Sequence, residues 1–278
     1  MVLLKLIRVK ETLFSLPLAY VGVLLAAEKL PSFSIWFYVT TAMVSARTLG
    51  MCLNRIFDKN IDAKNPRTAQ RLVPSGQVAV STVACYSIVC AFVFVFSAYM
   101  LNALCFYLSF AALSLLITYS LVKRFSTMTH FYLGLTEACA PIGGALAVHP
   151  EFSLKALLVG IYVLLWIAGF DIIYACQDYM FDKMNRVFSI PAKYGLKKAL
   201  IISSVLHGAA VVTLFITGII LNANILYWLC LLVACCFFVW QHTIISANDL
   251  TRVKTAFFTM NRNISLAVFS AFVLNFIY

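Results

Sequence analysis

Unbroken apolar stretches lie near 12–27, 33–54, 78–98, 101–122, 127–148, 154–177, 199–220, 224–246 and 260–277, separated by polar joints. Each approaches the roughly 20 apolar residues that a helix needs to cross a hydrocarbon core about 30 Å thick. The pattern predicts an all-α transmembrane chain, a bundle of nine helices. Most joints are tight, but those near 55–77 and 178–198 are long, and long loops are where function concentrates.

Composition agrees. The chain of 278 residues is 63% hydrophobic and 11% charged, with mean hydropathy +0.95, against about 45–50% and about 25% in soluble domains. A soluble globular fold is excluded. The first apolar run leads straight into further spans and does not end at a small-residue cleavage site, so residues 1–278 are expected to stand as one membrane-embedded domain. Nine cysteines fall mostly inside apolar runs, with no C-x-x-C, which points to packing and not to a disulfide framework or a zinc site.

The net charge of +11 invites a nucleic-acid reading until the charges are placed. With the N-terminus on the cytoplasmic side, 18 of the 21 lysines and arginines fall on that side. Only Lys29 and Lys155 lie outside, and Arg47 sits within the second span. This is the positive-inside rule, and it accounts for the basic balance without nucleic acid. It predicts a multi-pass protein of a cell inner membrane with its N-terminus and long loops cytoplasmic.

Ten acidic residues are present, and half of them lie in or just before the two long joints: Asp58 and Asp62 in the first, Asp178 and Asp182 in the second, and Asp171 seven residues before Asp178. Asn54, Asp58 and Asp62 are matched by Tyr174, Asp178 and Asp182 at a constant offset of 120 residues. Two four-helix pseudo-repeats followed by a ninth helix explain that offset most simply. Residues four apart share a helix face, so each pair presents two carboxylates to one spot. Both pairs begin where spans end, on the same side of the membrane, a placement that lets four carboxylates converge. Pairing with nearby Lys59, Lys64, Lys183 and Arg186 is the plainer reading of these acids. Hard oxygen ligands suit Mg²⁺, which is commonly held by carboxylates plus substrate phosphates. Arg67, Arg71, Lys123 and Arg124 are cations of the kind that stabilise charge on a departing phosphate group.

The stretch Asn54-Arg-Ile-Phe-Asp58-Lys-Asn-Ile-Asp62-Ala-Lys-Asn-Pro-Arg67-Thr-Ala-Gln-Arg71 resembles the N-x-x-x-D-x-x-x-D signature and R-T-x-x-R continuation of the UbiA-type intramembrane aromatic prenyltransferases. Asp171-Ile-Ile-Tyr174-Ala-Cys-Gln-Asp178-Tyr-Met-Phe-Asp182 resembles that family's second aspartate motif. Ser189 to Gly195 is similar to the segment after it, and Tyr119 to Arg124 to the basic joint after the fourth helix. The resemblance spans roughly 47–195, and the nine-helix count agrees with it.

The resemblance implies a Mg²⁺-dependent polyprenyltransferase acting on a polyprenyl diphosphate and a small aromatic acid, with no protein partner and no nucleic acid. In that reading Asn54, Asp58, Asp62, Asp178 and Asp182 hold the metal, and Arg67, Arg71, Lys123 and Arg124 contact the diphosphate. Arg47, Asp171 and Tyr174 bind the acceptor, and Asp171 joins the four motif aspartates as a catalytic residue. The motif variants resemble the quinone branch, with 4-hydroxybenzoate or a naphthoate of the futalosine-type menaquinone route as acceptor. Arg47 lies seven residues before Asn54, about 10 Å deeper on the same helix face, where an intramembrane arginine is costly and usually functional. A structural pairing of Arg47 with Glu137 or Asp171 is the competing role. His130, His149, His207 and His242 are scattered and read as packing or interfacial residues. A secondary transporter, which would also carry repeats and buried charges, is the alternative class, but its site belongs at the membrane midplane.

Overall fold

In a computed structural model the chain is described over residues 9–278, with side chains from residue 15 onward. Lys5 and Arg8 lie outside the described residues. The helices are α1 (Val9–Ala26), α2 (Phe33–Phe57), α3 (Lys59–Lys64), α4 (Val80–Leu101), α5 (Ala103–Val122), α6 (Thr129–Val148), α7 (Leu154–Ala175), α8 (Tyr179–Asn185), α9 (Ile190–Tyr194), α10 (Leu196–Ile220), α11 (Ile225–Thr243) and α12 (Asn261–Ile277). A 3₁₀ turn at Cys176–Asp178 joins α7 to α8, and a π-helix at Thr255–Met260 precedes α12. Among the described residues there is no strand beyond an isolated bridge at Ser246 and Asp249.

Every apolar run predicted above coincides with a long helix. Among the described residues, seven of the nine expected spans are helical stretches long and apolar enough to cross a membrane: α4, α5, α6, Leu154–Asn185, α10, α11 and Thr255–Ile277. Ser15–Ala26 is apolar but shorter. Helix α2 is long, yet it carries Arg47, Asn54 and Arg55 among its threonines and serines, which lower its hydropathy. The outward faces are apolar, with Phe92, Tyr107, Val205 and Leu232 more than half exposed. Together with the spans this describes a multi-pass integral membrane protein, whose exposed hydrophobic surface is solvated by lipid.

The chain divides into two compact units. The first comprises the N-terminal segment to Leu16 and residues Pro31–Leu121; the second comprises Pro17–Leu30 and Val122–Tyr278. In the first, α2 packs along α4, and Cys52, Val73 and Val83 form a small buried cluster beneath the loop after α3. In the second, α7 lies between α6 and α10, and α11 packs along α12. Its core is larger, built on Val159, Tyr162, Val163, Trp166, Leu214, Tyr227 and Ile264.

Water drives no helix association inside a bilayer, so close packing by small residues has to do it. Helix α1 meets α6 this way: a Cβ on Gly22 would strike the Pro141 carbonyl, and one on Gly144 would strike the Ala19 carbonyl. A methyl on Gly143 meets nothing within 4 Å. Gly144→Ala is therefore expected to destabilise the protein by about 1–3 kcal/mol through overpacking, while Gly143→Ala leaves it unchanged or slightly more stable. Thermal unfolding of both variants in detergent checks this; equal melting temperatures would show that the two helices can separate without cost.

Candidate active site

Helix α2 ends in the first acid motif. The Asp58 N–H donates to the Asn54 carbonyl at 2.9 Å and the Asp62 N–H to the Asp58 carbonyl at 2.7 Å, so the i to i+4 ladder continues from α2 into α3. The two carboxylates thereby share one face, as the spacing requires. Both are buried, Asp58 to 1% and Asp62 to 6% exposure. Buried carboxylates need fixed donors or cations. The Asn54 side-chain amide donates to Asp58 Oδ2 at 2.5 Å and to Ser120 Oγ of α5 at 3.3 Å. Arg71 Nη1 reaches both Asp62 oxygens, at 2.9 and 2.7 Å, and the buried Arg55 guanidinium lies 3.8 Å from Asp62 Oδ2.

The loop that delivers Arg71 is itself pinned to the motif. Thr68 donates its hydroxyl to the Asp62 carbonyl at 3.0 Å, and the Asn65 side chain accepts the Arg67 N–H at 3.0 Å. Arg67 is exposed at the mouth of this loop. Arg47 lies on the same uninterrupted helix as Asn54, two turns earlier, and is half-buried. Tyr119 of α5 donates to the Gly50 carbonyl at 2.9 Å, between Arg47 and Asn54 along α2. The cations found on Asp62 are thus Arg71 and Arg55, and the spacing of the motif does not single out Arg55.

The second motif is less regular. Helix α7 stops at Ala175, Cys176–Asp178 forms a 3₁₀ turn, and α8 resumes at Tyr179. Asp178 and Asp182 therefore do not sit on one continuous α-helix, although the four-residue spacing implied it. Asp182 is buried and accepts the Ser189 hydroxyl on Oδ2 at 2.9 Å. Arg186, in the left-handed conformation at φ 55°, ends α8 and turns the chain back. The Phe188 N–H then donates to the Lys123 carbonyl at 2.8 Å, which ties the basic joint after α5 to this motif. Arg124 beside it is exposed.

Asp171 lies on α7, two turns before Asp178. Its Oδ2 is 2.7 Å from Nδ1 of His130, a buried residue of α6. Three turns of α7 also carry an aromatic series four residues apart. Tyr162 stacks on Trp166 at 5.5 Å, Trp166 meets Phe170 edge-on, and Phe257 of the π-helix bridges Phe170 and Tyr174, 4.2 Å from the latter. The π-helix is held open by buried amides: Gln241 donates to the Ala256 carbonyl at 2.8 Å and to Asn261 Oδ1 at 3.0 Å, which also accepts Trp166 Nε1 at 3.1 Å. Such π-turns recur at functional sites. His130 and Phe257 were not legible as site residues, because an isolated histidine or phenylalanine in an apolar run looks like packing.

The whole chain has a counterpart. A family model described as the UbiA prenyltransferase family matches residues 15–265. The chain belongs to the UbiA prenyltransferase family. Relatives include proteins named 4-hydroxybenzoate octaprenyltransferase from Francisella tularensis, 28% identical over 256 residues and covering 92% of this chain and 89% of theirs. One from Pseudoalteromonas translucida is 29% identical over 258 residues, covering 93% and 88%. Among solved structures, an apo UbiA homolog from Aeropyrum pernix K1 superposes with a TM-score of 0.86 at 31% identity, covering 95% of this chain and 98% of that one. A UbiA homolog from Archaeoglobus fulgidus bound to GPP and Mg²⁺ has a TM-score of 0.76 at 17% identity, covering 98% and 100%; that likeness speaks for the fold alone. Membership makes this chain an intramembrane prenyltransferase and sets the transporter alternative aside.

In this UbiA-family chain Arg71 stands closer to Asp62 than Arg55 does, at 2.7 Å against 3.8 Å. Arg71→Leu is expected to cost about 1–3 kcal/mol of stability in metal-free buffer, because it strips a buried carboxylate of its principal donor. Adding Asp62→Asn should recover part of that loss. A double-mutant cycle on thermal unfolding with EDTA present measures the coupling; a coupling near zero would show the pair to be energetically idle.

Proposed function

We propose that this prenyltransferase moves a polyprenyl group from a polyprenyl diphosphate to an aromatic carboxylate of the 4-hydroxybenzoate type, in ubiquinone or menaquinone biosynthesis. The observation that carries the reading is on α2. Helix α2 carries Asn54 in its last turn and a half-buried arginine, Arg47, two turns deeper, and the buried Asp58 and Asp62 follow at the turn that ends α2 and on α3. In this reading α2 and the turn that ends it carry both the metal-bound anion and the acceptor carboxylate. The names of the relatives from Francisella tularensis and Pseudoalteromonas translucida support the choice of acceptor.

Asn54, Asp58, Asp62, Asp178 and Asp182 are the proposed Mg²⁺ ligands. Their donor set fits: all are hard oxygen ligands, and three of the four motif carboxylates are buried, where a divalent cation offsets the cost of their charge. When bound, Mg²⁺ neutralises charge on the diphosphate as it leaves. Arg67, Lys123 and Arg124 are its proposed cationic contacts. Arg71 chelates Asp62 through one nitrogen and has its remaining guanidinium donors for the same anion. As the bond between the allylic carbon and the diphosphate oxygen breaks, the acceptor ring supplies the electron pair for the new carbon–carbon bond and then loses its ring proton.

Arg47 is assigned the acceptor carboxylate, which a guanidinium binds through two parallel hydrogen bonds. Asp171 is assigned the acceptor hydroxyl, whose polarisation makes the ring more electron-rich. Tyr174, backed by Phe257, offers a π face that stabilises positive charge on the allylic carbon and keeps water away. The remaining elements of the proposal are nine spans in two four-helix repeats plus a ninth helix, with the N-terminus and both aspartate motifs on the cytoplasmic side of the inner membrane.

Purified protein in lipid, given geranyl diphosphate, Mg²⁺ and either 4-hydroxybenzoate or a dihydroxynaphthoate, should form one prenylated product by mass spectrometry. EDTA or Asp58→Asn should abolish it. Product from the naphthoate alone would move the enzyme to the menaquinone route; diphosphate release with no adduct would show the acceptor to be wrong. Arg47→Ala should raise the acceptor KM about 10- to 100-fold, the worth of a charge-assisted hydrogen bond, with the donor KM nearly unchanged. Equal effects on both substrates would mean that Arg47 only holds the bundle together.

A further inference from the structure

His130 touches two things that the sequence keeps apart. Its Nδ1 is 2.7 Å from Asp171 Oδ2, and its Nε2 accepts the backbone N–H of Ile190 at 3.2 Å. A backbone N–H can only donate, so Nε2 is the bare nitrogen of a neutral ring and the ring proton sits on Nδ1, aimed at Asp171. The ring is buried, at 2% exposure. Ile190 follows Ser189, whose hydroxyl donates to Asp182 Oδ2 at 2.9 Å while its oxygen caps α9 by accepting the Ala192 N–H at 3.3 Å. A continuous path of hydrogen bonds and one peptide unit thus runs from Asp171 through His130, Ile190 and Ser189 to Asp182.

The backbone between the two aspartates does not carry that register by itself. The α-helix stops at Ala175, and the 3₁₀ turn at Cys176–Asp178 changes the pitch before α8 begins. Asp182 is therefore placed less by the helix that precedes it than by the loop that follows it, and that loop is fastened to α6 through His130. Phe188 adds a second fastening by donating to the Lys123 carbonyl.

We propose that His130 is a positioning residue that holds the acceptor-side carboxylate and the metal-side carboxylate of the second motif in a fixed relation, one through each ring nitrogen. It touches no reacting atom. The proposal rests on the functional reading above, in which Asp171 serves the acceptor and Asp182 the metal and diphosphate.

The two nitrogens allow the two connections to be cut separately. Asn places an amide nitrogen where Nδ1 stands, and Gln places an amide oxygen where Nε2 stands. His130→Asn keeps the donor to Asp171 and loses the acceptor for Ile190. It should leave the acceptor KM within about twofold of the parent but raise the Mg²⁺ concentration for half-maximal rate several-fold, about the worth of one neutral hydrogen bond. His130→Gln should do the reverse, raising the acceptor KM about tenfold, as for a lost hydrogen bond to a charged group, with the Mg²⁺ requirement unchanged. His130→Leu should show both defects.

Two further measurements need no turnover. Titration of Mn²⁺ in the presence of geranyl diphosphate, followed by electron paramagnetic resonance, should show weakened binding in the Asn variant and parental binding in the Gln variant. Nitrogen-15 spectra of the four histidines in the sequence, assigned by the loss of one signal in the variants, should show His130 as the neutral Nδ1–H tautomer. Equal defects in the Asn and Gln variants, no defect in either, or an Nε2–H tautomer would each overturn the proposal. If the parent protein transfers no prenyl group to an aromatic acid, the functional reading falls instead, and the tautomer and Mn²⁺ titration still decide the role of His130. Should the Leu variant fail to fold, the Asn and Gln pair carries the test alone.

Discussion

A carboxylate that is buried at the edge of a hydrocarbon phase must find its donors within the chain, because lipid supplies none and the cost of an unsolvated charge is several kcal/mol. Asp58, Asp62 and Asp182 all meet this condition, and the structure around them is arranged to satisfy it. Asn54, itself held by Ser120, donates to Asp58, Arg71 and Arg55 stand at Asp62, and Ser189 donates to Asp182. The long joints after α2 and α8 exist to return these donors to the helix ends. Their polar residues are not a solvated surface that happens to lie near acids.

The surrounding helices are organised by a different rule. In lipid, helices gain nothing by burying apolar faces against one another in preference to lipid, so their contacts depend on fit and on internal hydrogen bonds. The glycine contact between α1 and α6 is an example of the first, and the amide cluster of Gln241, Asn261 and Trp166 of the second. That cluster also satisfies a carbonyl of the π-helix, and so fixes Phe257 against Tyr174. Packing of α11 against the π-helix thereby determines which ring lies against Tyr174.

Much of this was readable from residue order. The apolar runs located the helices, because hydropathy over about 20 residues is a strong signal. The first motif was also legible in detail: the i to i+4 spacing of Asp58 and Asp62 is realised by hydrogen bonds from Asp58 back to Asn54 and from Asp62 back to Asp58, across the turn that joins α2 to α3. The second motif has the same spacing but not the same backbone, since a 3₁₀ turn intervenes at Cys176–Asp178. No Gly or Pro marks that break; it is imposed by the chain turning back at Arg186 to meet Lys123 and His130. Helix α2 is less apolar than the other long helices for a related reason, because it trades hydropathy for polar residues such as Arg47, Asn54 and Arg55.

Local pattern determined the all-helical class, the membrane setting, the two acid motifs and the candidate cations, since each depends only on periodicity, hydropathy or spacing along the chain. Only the tertiary structure decided which cation serves which acid, that Arg55 and Arg71 hold Asp62, and that His130 stands between Asp171 and the segment behind Asp182. A partner 41 or 60 residues away leaves no mark on the periodicity of either segment. It becomes visible only when folding brings a donor and an acceptor within 3 Å or so of each other and removes the water that would otherwise have served both.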